Sequence, residues 1–250
     1  MQVSLKRRAK SFLPRSWWDT LRRLKHRSSD LEAPKTMAHL RRMRQQGFAP
    51  EVVVDVGAAT GDWTVSCRRI FPAARYVMIE PLALYRDDLR GLVGHRVEHI
   101  AVAAGRTRTE LPLLLPNLPE GSSFLPSNRE GDPYFKGSID VPVVPVDDLD
   151  IPFGPTLLKL DVQGYELEVL AGASRLIERV EVIVAEASMH PFQQRMPLIH
   201  ELVSQVVQLG FRLYDVADEL RWPSGGLAQV DVVFVADEHP LLDPRWWGAP

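Results

Sequence analysis

Short apolar runs alternate with amphipathic stretches along most of this chain, and that alternation leaves few architectures open. Residues 51–56, 76–79 and 97–102 read as strands, with helices expected over 62–70 and 81–92 between them. The pattern resumes with strands at 157–160 and 182–185, a helix at 165–170, and a helix at 198–209 that stops at Gly210. Strand–helix alternation implies a parallel sheet covered by helices on both faces. The last two strands, 212–216 and 230–235, have only a short Pro/Gly-bearing segment between them, so they are expected to pair antiparallel at the sheet edge. A further helix is expected over 34–47, with Met37, Leu40 and Met43 on one face.

The middle of the chain differs in texture. Residues 107–115 and 139–146 read as strands without helices, and the polar, Pro/Gly/Ser-rich loop between them, 116–138, reads as a lid. The expected organisation is a basic N-terminal extension (1–33), one domain (34–240) and a C-terminal tail (241–250). With 250 residues, 45% of them hydrophobic and 25% charged, the chain has enough apolar material for one sizeable core.

A net charge of −2 argues against a general nucleic-acid binder, which needs a cationic surface to displace counterions. The N-terminus is the exception, because Lys6, Arg7, Arg8, Lys10, Arg22 and Arg23 surround the helically spaced Trp17, Trp18, Leu21 and Leu24. Such a stretch either packs on the domain or lies at an anionic membrane surface. Cys67 is the only cysteine, so no intramolecular disulfide forms, and no run is long and apolar enough to span a bilayer. The simplest location is the cytoplasm, with peripheral contact at the inner face of the membrane as the second reading. The oligomeric state is not legible.

VVVDVGAATGDWT, residues 52–64, is a strand, an acid and a Gly-bearing turn into a helix, the arrangement that lets backbone amides approach a ligand closely. It lacks the Lys and Ser/Thr of a triphosphate-binding loop. Glu80 ends the second strand, where a carboxylate can accept from both hydroxyls of an adenosine ribose. Asp161 ends the fourth strand of the alternation. Three acids at three strand ends, Asp55, Glu80 and Asp161, suit a ligand carrying positive charge, and favour S-adenosylmethionine over a pyrophosphate-bearing dinucleotide. The cofactor-side candidates are Asp55, Gly57, Ala59, Gly61, Glu80, Pro81 and Asp161. Candidates for the base that removes a hydroxyl proton are His190, Asp161 and Glu186, with His190 preferred because a neutral imidazole titrates near working pH. Asp161 and Glu186 are also the two carboxylates that could hold Mg²⁺; no richer metal-ligating set is present. Ser122, Ser123 and Phe124 in the lid and Trp222 before Pro223 are candidates for the acceptor's surroundings.

VVVDVGAATGDWT, VMIEP, GSSF, VDDL, LLKLDVQGYELEVLAGA, IVAE, LGF and QVDVVFV, in this order, make the sequence resemble the FkbM-type family of S-adenosylmethionine-dependent O-methyltransferases over residues 34–236. The resemblance implies a Rossmann-like class I methyltransferase fold: α/β, with a mostly parallel seven-stranded sheet, an antiparallel edge strand and helices on both faces. It implies Asp55, Gly57 and Gly61 around the methionine end of the cofactor, Glu80 on its ribose, and Ala101 and Val102 near its adenine. It places Asp161 near the transferred methyl, Gly164 at a backbone turn and Glu166 as a brace for the next helix. Members often have Asn where this chain has Ala59, and Glu where it has Gln163. The implied activity is methyl transfer to a hydroxyl of a sugar, glycolipid, polysaccharide or related natural product. A catalytically silent cofactor-binding protein and an NAD-dependent oxidoreductase are the alternatives.

Overall fold

Val52, Val54 and Val56 turn one way and Val53 the other, and all four are buried, so the first apolar run is a strand covered on both faces. The computed structural model describes residues 35–116, 119–128 and 135–243. Its main sheet consists of β1 (Val52–Val56), β2 (Arg75–Ile79), β3 (Val97–Ile100), β7 (Thr156–Leu160), β8 (Val180–Ser188), β9 (Phe211–Arg221) and β10 (Leu227–Ala236). The order across the sheet is β3-β2-β1-β7-β8-β10-β9. All neighbours pair in parallel except β10, which is antiparallel to both β8 and β9. The reversed strand therefore lies one place in from the edge. A tight turn explains this placement: Trp222 N–H donates to the Gly226 carbonyl (2.8 Å) and folds the chain straight back into the space between β8 and β9.

A second, three-stranded sheet has β4 (Ala103–Ala104), β6 (Phe135–Val144) and β5 (Thr109–Pro116) in that order, with β5 and β6 antiparallel. On one face of the main sheet, Met37, Leu40 and Met43 of α1 (Lys35–Gln45), Cys67 of α2 (Asp62–Arg68) and Leu89 of α3 (Arg86–Leu92) pack against Val53, Tyr76, Leu157 and Val233. On the other, Val169 of α4 (Glu166–Ala171), Leu176 of α5 (Ser174–Ile177) and Leu202 and Val206 of α6 (Ile199–Gln208) cover Val54, Leu158, Ile183 and Val232. The chain thus has a Rossmann-like fold with the strand order of class I methyltransferases.

Several boundaries differ from the sequence reading. β3 ends at Ile100, and β6 begins at Phe135. The first half of β6 is largely exposed and carries no alternating apolar signal. β9 runs on to Arg221 through the polar stretch DVADELR, which an edge strand tolerates. The basic stretch 15–27, Tyr134 and residues 244–250 of the tail lie outside the described residues.

Candidate active site

At the carboxyl end of β1 the chain turns through Gly57 (φ +78°), Ala59 (φ +46°) and Gly61 (φ +84°). A Cβ on Gly57 would stand 2.0 Å from the Asp161 carbonyl oxygen, so only glycine lets this turn pass so close to the end of β7. Gly61 has a different task, since a Cβ there would meet Leu92 Cδ1 at 2.4 Å and push α3 away. The turn is tied to β2 by Glu80, whose Oε2 accepts the Ala59 N–H (3.0 Å) and whose Oε1 accepts the Leu82 N–H (2.8 Å). Glu80 is 6% exposed. Burial raises its pKa, and the two amides and Lys159 act against that rise. The same carboxylate explains why the expected helix at 81–92 starts late: Leu82 is held extended, and a 3₁₀ turn at Ala83–Tyr85 precedes α3.

Beneath the turn lies a buried cation that the sequence reading did not assign. Lys159 Nζ donates to the Gly57 carbonyl (3.0 Å) and stands 3.1 Å from Asp55 Oδ1 and 3.7 Å from Asp161 Oδ2. Burial pulls its pKa down, but Asp55 and Asp161 together outweigh burial and hold it above the usual lysine range. Asp55, 1% exposed, also accepts from Thr64 Oγ1 (2.7 Å). A lysine inside the otherwise apolar run TLLKL was the available signal.

The ends of β7, β8 and β10 bring a second polar group together. Gln163 Nε2 donates to Asp161 Oδ1 (2.8 Å) and to Glu186 Oε2 (2.7 Å), and Gln229 Nε2 also donates to Glu186 Oε2 (2.7 Å). The loop carrying Gln163 is fixed from three sides. Glu166 Oε1 accepts the N–H groups of Val162 and Gly164 (3.2 Å each), and Ser123 Oγ bonds the Gln163 carbonyl (2.8 Å). Burial lifts the Glu166 pKa to about 7.

These elements surround a cavity of about 320 Å³. Gly57, Ala59, Glu80, Pro81, Asp161, Ser122 and Phe124 all line it, so the structure brings together most of the residues that the sequence singled out. Others lie elsewhere. Asp55 is outside the lining and under the turn, and Gly61 faces α3. Ala103 and Ala104 line the cavity where Ala101 and Val102 were expected. Ser123 is 1% exposed and serves the loop, while Glu186 stands behind Gln163 and Gln229. His190 is exposed and tilted on Trp222 at 6.4 Å between ring centroids; neither ring belongs to the lining. Tyr85, Tyr165, Phe192 and Gln229 do belong to it and were not anticipated. They sit in segments whose apolar or polar character alone gives no direction.

Among the described residues no group of three or more His, Cys, Asp or Glu side chains is arranged to hold a metal ion. The amide of Gln163 stands between the two carboxylates that had suggested Mg²⁺.

A search of curated proteins finds no match in sequence. Among solved structures, one similar chain is the 1,6-didemethyltoxoflavin-N1-methyltransferase of Burkholderia thailandensis, determined with bound 1,6-didemethyltoxoflavin and S-adenosylhomocysteine. It is 12% identical, with 95% of this chain and 99% of that one covered and a TM-score of 0.45. The N-methyltransferase NodS of Bradyrhizobium japonicum WM9 is 8% identical, with coverages of 88% and 98% and a TM-score of 0.48. The precorrin-6y C5,15-methyltransferase of Geobacter metallireducens GS-15 is 15% identical, with coverages of 80% and 86% and a TM-score of 0.40. The methyltransferase FkbM domain matches residues 55–213, from the acid that ends β1 to the third residue of β9, and the chain belongs to that family.

Proposed function

We propose that this methyltransferase-family protein uses S-adenosylmethionine to methylate a hydroxyl oxygen of a sugar, glycolipid, polysaccharide or related natural product. The observation that carries the reading is the shared cavity. It has a floor at Gly57 that only glycine permits, and it has Glu80 and Asp161 in its wall at the ends of two different strands.

The residues present fit the cofactor. A carboxylate oxygen offers about two acceptor sites, so Glu80 can take both ribose hydroxyls while keeping the amides of Ala59 and Leu82. Pro81, Leu82, Ala103 and Ala104 give the apolar surface that a purine needs, and Gly57 and Ala59 lie beside the methionine end. When bound, S-adenosylmethionine supplies a methyl carbon activated by the positively charged sulfur, which leaves as a neutral thioether with the bonding electron pair.

The protein's own part is alignment and removal of one proton. Asp161 is the acceptor of the hydroxyl proton in this reading, because it lines the cavity and His190 does not. Lys159 holds the Asp161 carboxylate in its charged form from below. Phe124 and Tyr165, 4.8 Å apart between ring centroids, close the side of the cavity under the segment 119–128 and help to exclude water.

No helix among the described residues is long and apolar enough to cross a membrane. Within this proposal the protein works in the cytoplasm on a small or lipid-linked acceptor, and the basic stretch 1–33 supplies peripheral contact with anionic lipid when the acceptor is lipid-linked.

Calorimetric titration of S-adenosylmethionine, S-adenosylhomocysteine and NAD into the wild type and Glu80→Gln tests the cofactor. The two sulfur compounds should bind the wild type, NAD should not, and the variant should lose about tenfold or more in affinity, or about 1.4 kcal/mol. Binding of NAD alone would convert the reading to an oxidoreductase. Cofactor binding with no transfer of labelled methyl to any of a panel of glycans and glycolipids would leave a silent binding protein.

A further inference from the structure

Asp161 ends β7 and Glu186 lies near the end of β8, and both carboxylates bond one nitrogen, Gln163 Nε2, at 2.8 and 2.7 Å. A side-chain amide carries two N–H donors, and here each has a carboxylate to itself. The arrangement is held by its surroundings. Gln163 is one of the few non-glycine residues with positive φ (+52°), and its carbonyl accepts from the buried Ser123 hydroxyl at 2.8 Å. The peptide N–H groups on either side of it, those of Val162 and Gly164, are both taken by Glu166. Backbone strain of this kind persists only where neighbouring contacts enforce it, and every one of these contacts directs the side chain toward the same two acids. Glu186 receives a second amide from Gln229.

Two carboxylates brought this close need a positive partner or donors between them. A divalent cation is the usual solution, and it takes oxygen ligands only. An N–H group cannot serve as such a ligand, and it fills the place the ion would need. We propose that Gln163 is the positioning residue of the reaction: its amide holds Asp161 and Glu186 as a fixed pair at the acceptor end of the cavity, in the position a divalent cation would otherwise take. The reaction then proceeds with Asp161 held in place by Gln163 on one side and by Lys159 on the other. The inference deepens the proposed function and rests on it for the identity of the reaction, while the bridge itself does not depend on it.

The test adds Mn²⁺ alone to the full-length wild type and to Gln163→Glu, and follows water-proton relaxation; S-adenosylhomocysteine affinity is measured on the same samples. In Gln163→Glu three carboxylates converge, and the variant should bind Mn²⁺ with a dissociation constant of about 10⁻⁴–10⁻³ M, the range of weak oxygen-ligand sites. That binding should vanish when Asp161→Asn is added. Wild-type Mn²⁺ binding that is abolished by Asp161→Asn would overturn the proposal, as would a folded Gln163→Glu that binds none. A second measurement needs only wild-type protein and Glu186→Gln. The side-chain amide protons of Gln163, assigned by NMR, should exchange slowly with water and shift in Glu186→Gln. Exchange at the rate of an exposed amide would overturn the bridge. Loss of S-adenosylhomocysteine binding in the wild type would instead count against the cofactor reading, so the two failures are distinguishable.

Discussion

Lys159 sets the charge balance of the site. It places one buried cation against Asp55, which is 1% exposed, and removing it would leave that carboxylate in the core without its counter-ion. Lys159→Met should therefore cost about 3–5 kcal/mol in urea unfolding, the usual penalty for breaking one side of a buried pair. The double variant with Asp55→Asn should recover a large part of it; a single-variant loss under about 1 kcal/mol would mean that the pair has little structural weight. The contrast with the acids shows what a sequence discloses at this scale. Glu80 and Asp161 were legible because each ends an apolar strand, and the carboxyl ends of parallel strands are where a crevice opens. Lys159 and Gln163 were not singled out, since their roles depend on partners from other strands: Asp55 across the β1–β7 pairing, and Glu186 across β7–β8. His190 shows the opposite error. It follows a strand end closely, but the chain turns outward there and leaves it on Trp222.

At the scale of elements, the segment 119–128 is joined to the loop after β7 by one hydroxyl. Ser123 Oγ bonds the Gln163 carbonyl, reaches Gln193 Oε1 (3.1 Å) and accepts the Leu125 N–H (3.0 Å). Ser123→Ala strands these groups in a buried place, so amide hydrogen exchange across 119–128 should speed up by about tenfold or more while β1 and β7 keep their protection. Unchanged exchange would show that the aromatic pair Phe124–Tyr165 is sufficient to hold the segment. The strands of the main sheet were readable because they are apolar on both faces. The first half of β6 and the far half of β9 were not, because exposed strands obey no hydrophobic period.

For the molecule as a whole, Glu166 links the site to pH. Its pKa rises from the ordinary 4.5 to about 7 on folding, so between these values the native state holds more protons than the unfolded state. The associated stability is fully present below about 4.5 and is lost as pH rises to about 7, by up to about 3 kcal/mol. Glu166→Gln keeps an oxygen acceptor for Val162 and Gly164 and removes the titration. Urea unfolding at pH 5 and pH 7.5 should show the wild type losing stability relative to the variant over that interval, and parallel behaviour would exclude the assignment. The parallel core and its helical cover followed from alternation alone, whereas the insertion of β10 between β8 and β9 required knowing which strand lies beside which.

That insertion has a consequence for how the chain is made. β8 is complete at Ser188, but the neighbour that saturates its outer edge is β10, at Leu227–Ala236, and β9 arrives first without touching it. On the ribosome, β8 therefore waits through roughly forty residues of synthesis, about 2–8 s at ordinary elongation rates, with an apolar edge of unpaired amides and carbonyls. A nascent chain arrested before Leu227 should be held by chaperones or aggregate, and one released after Ala236 should fold. Force-sensitive arrest reporters placed at successive lengths would locate that step.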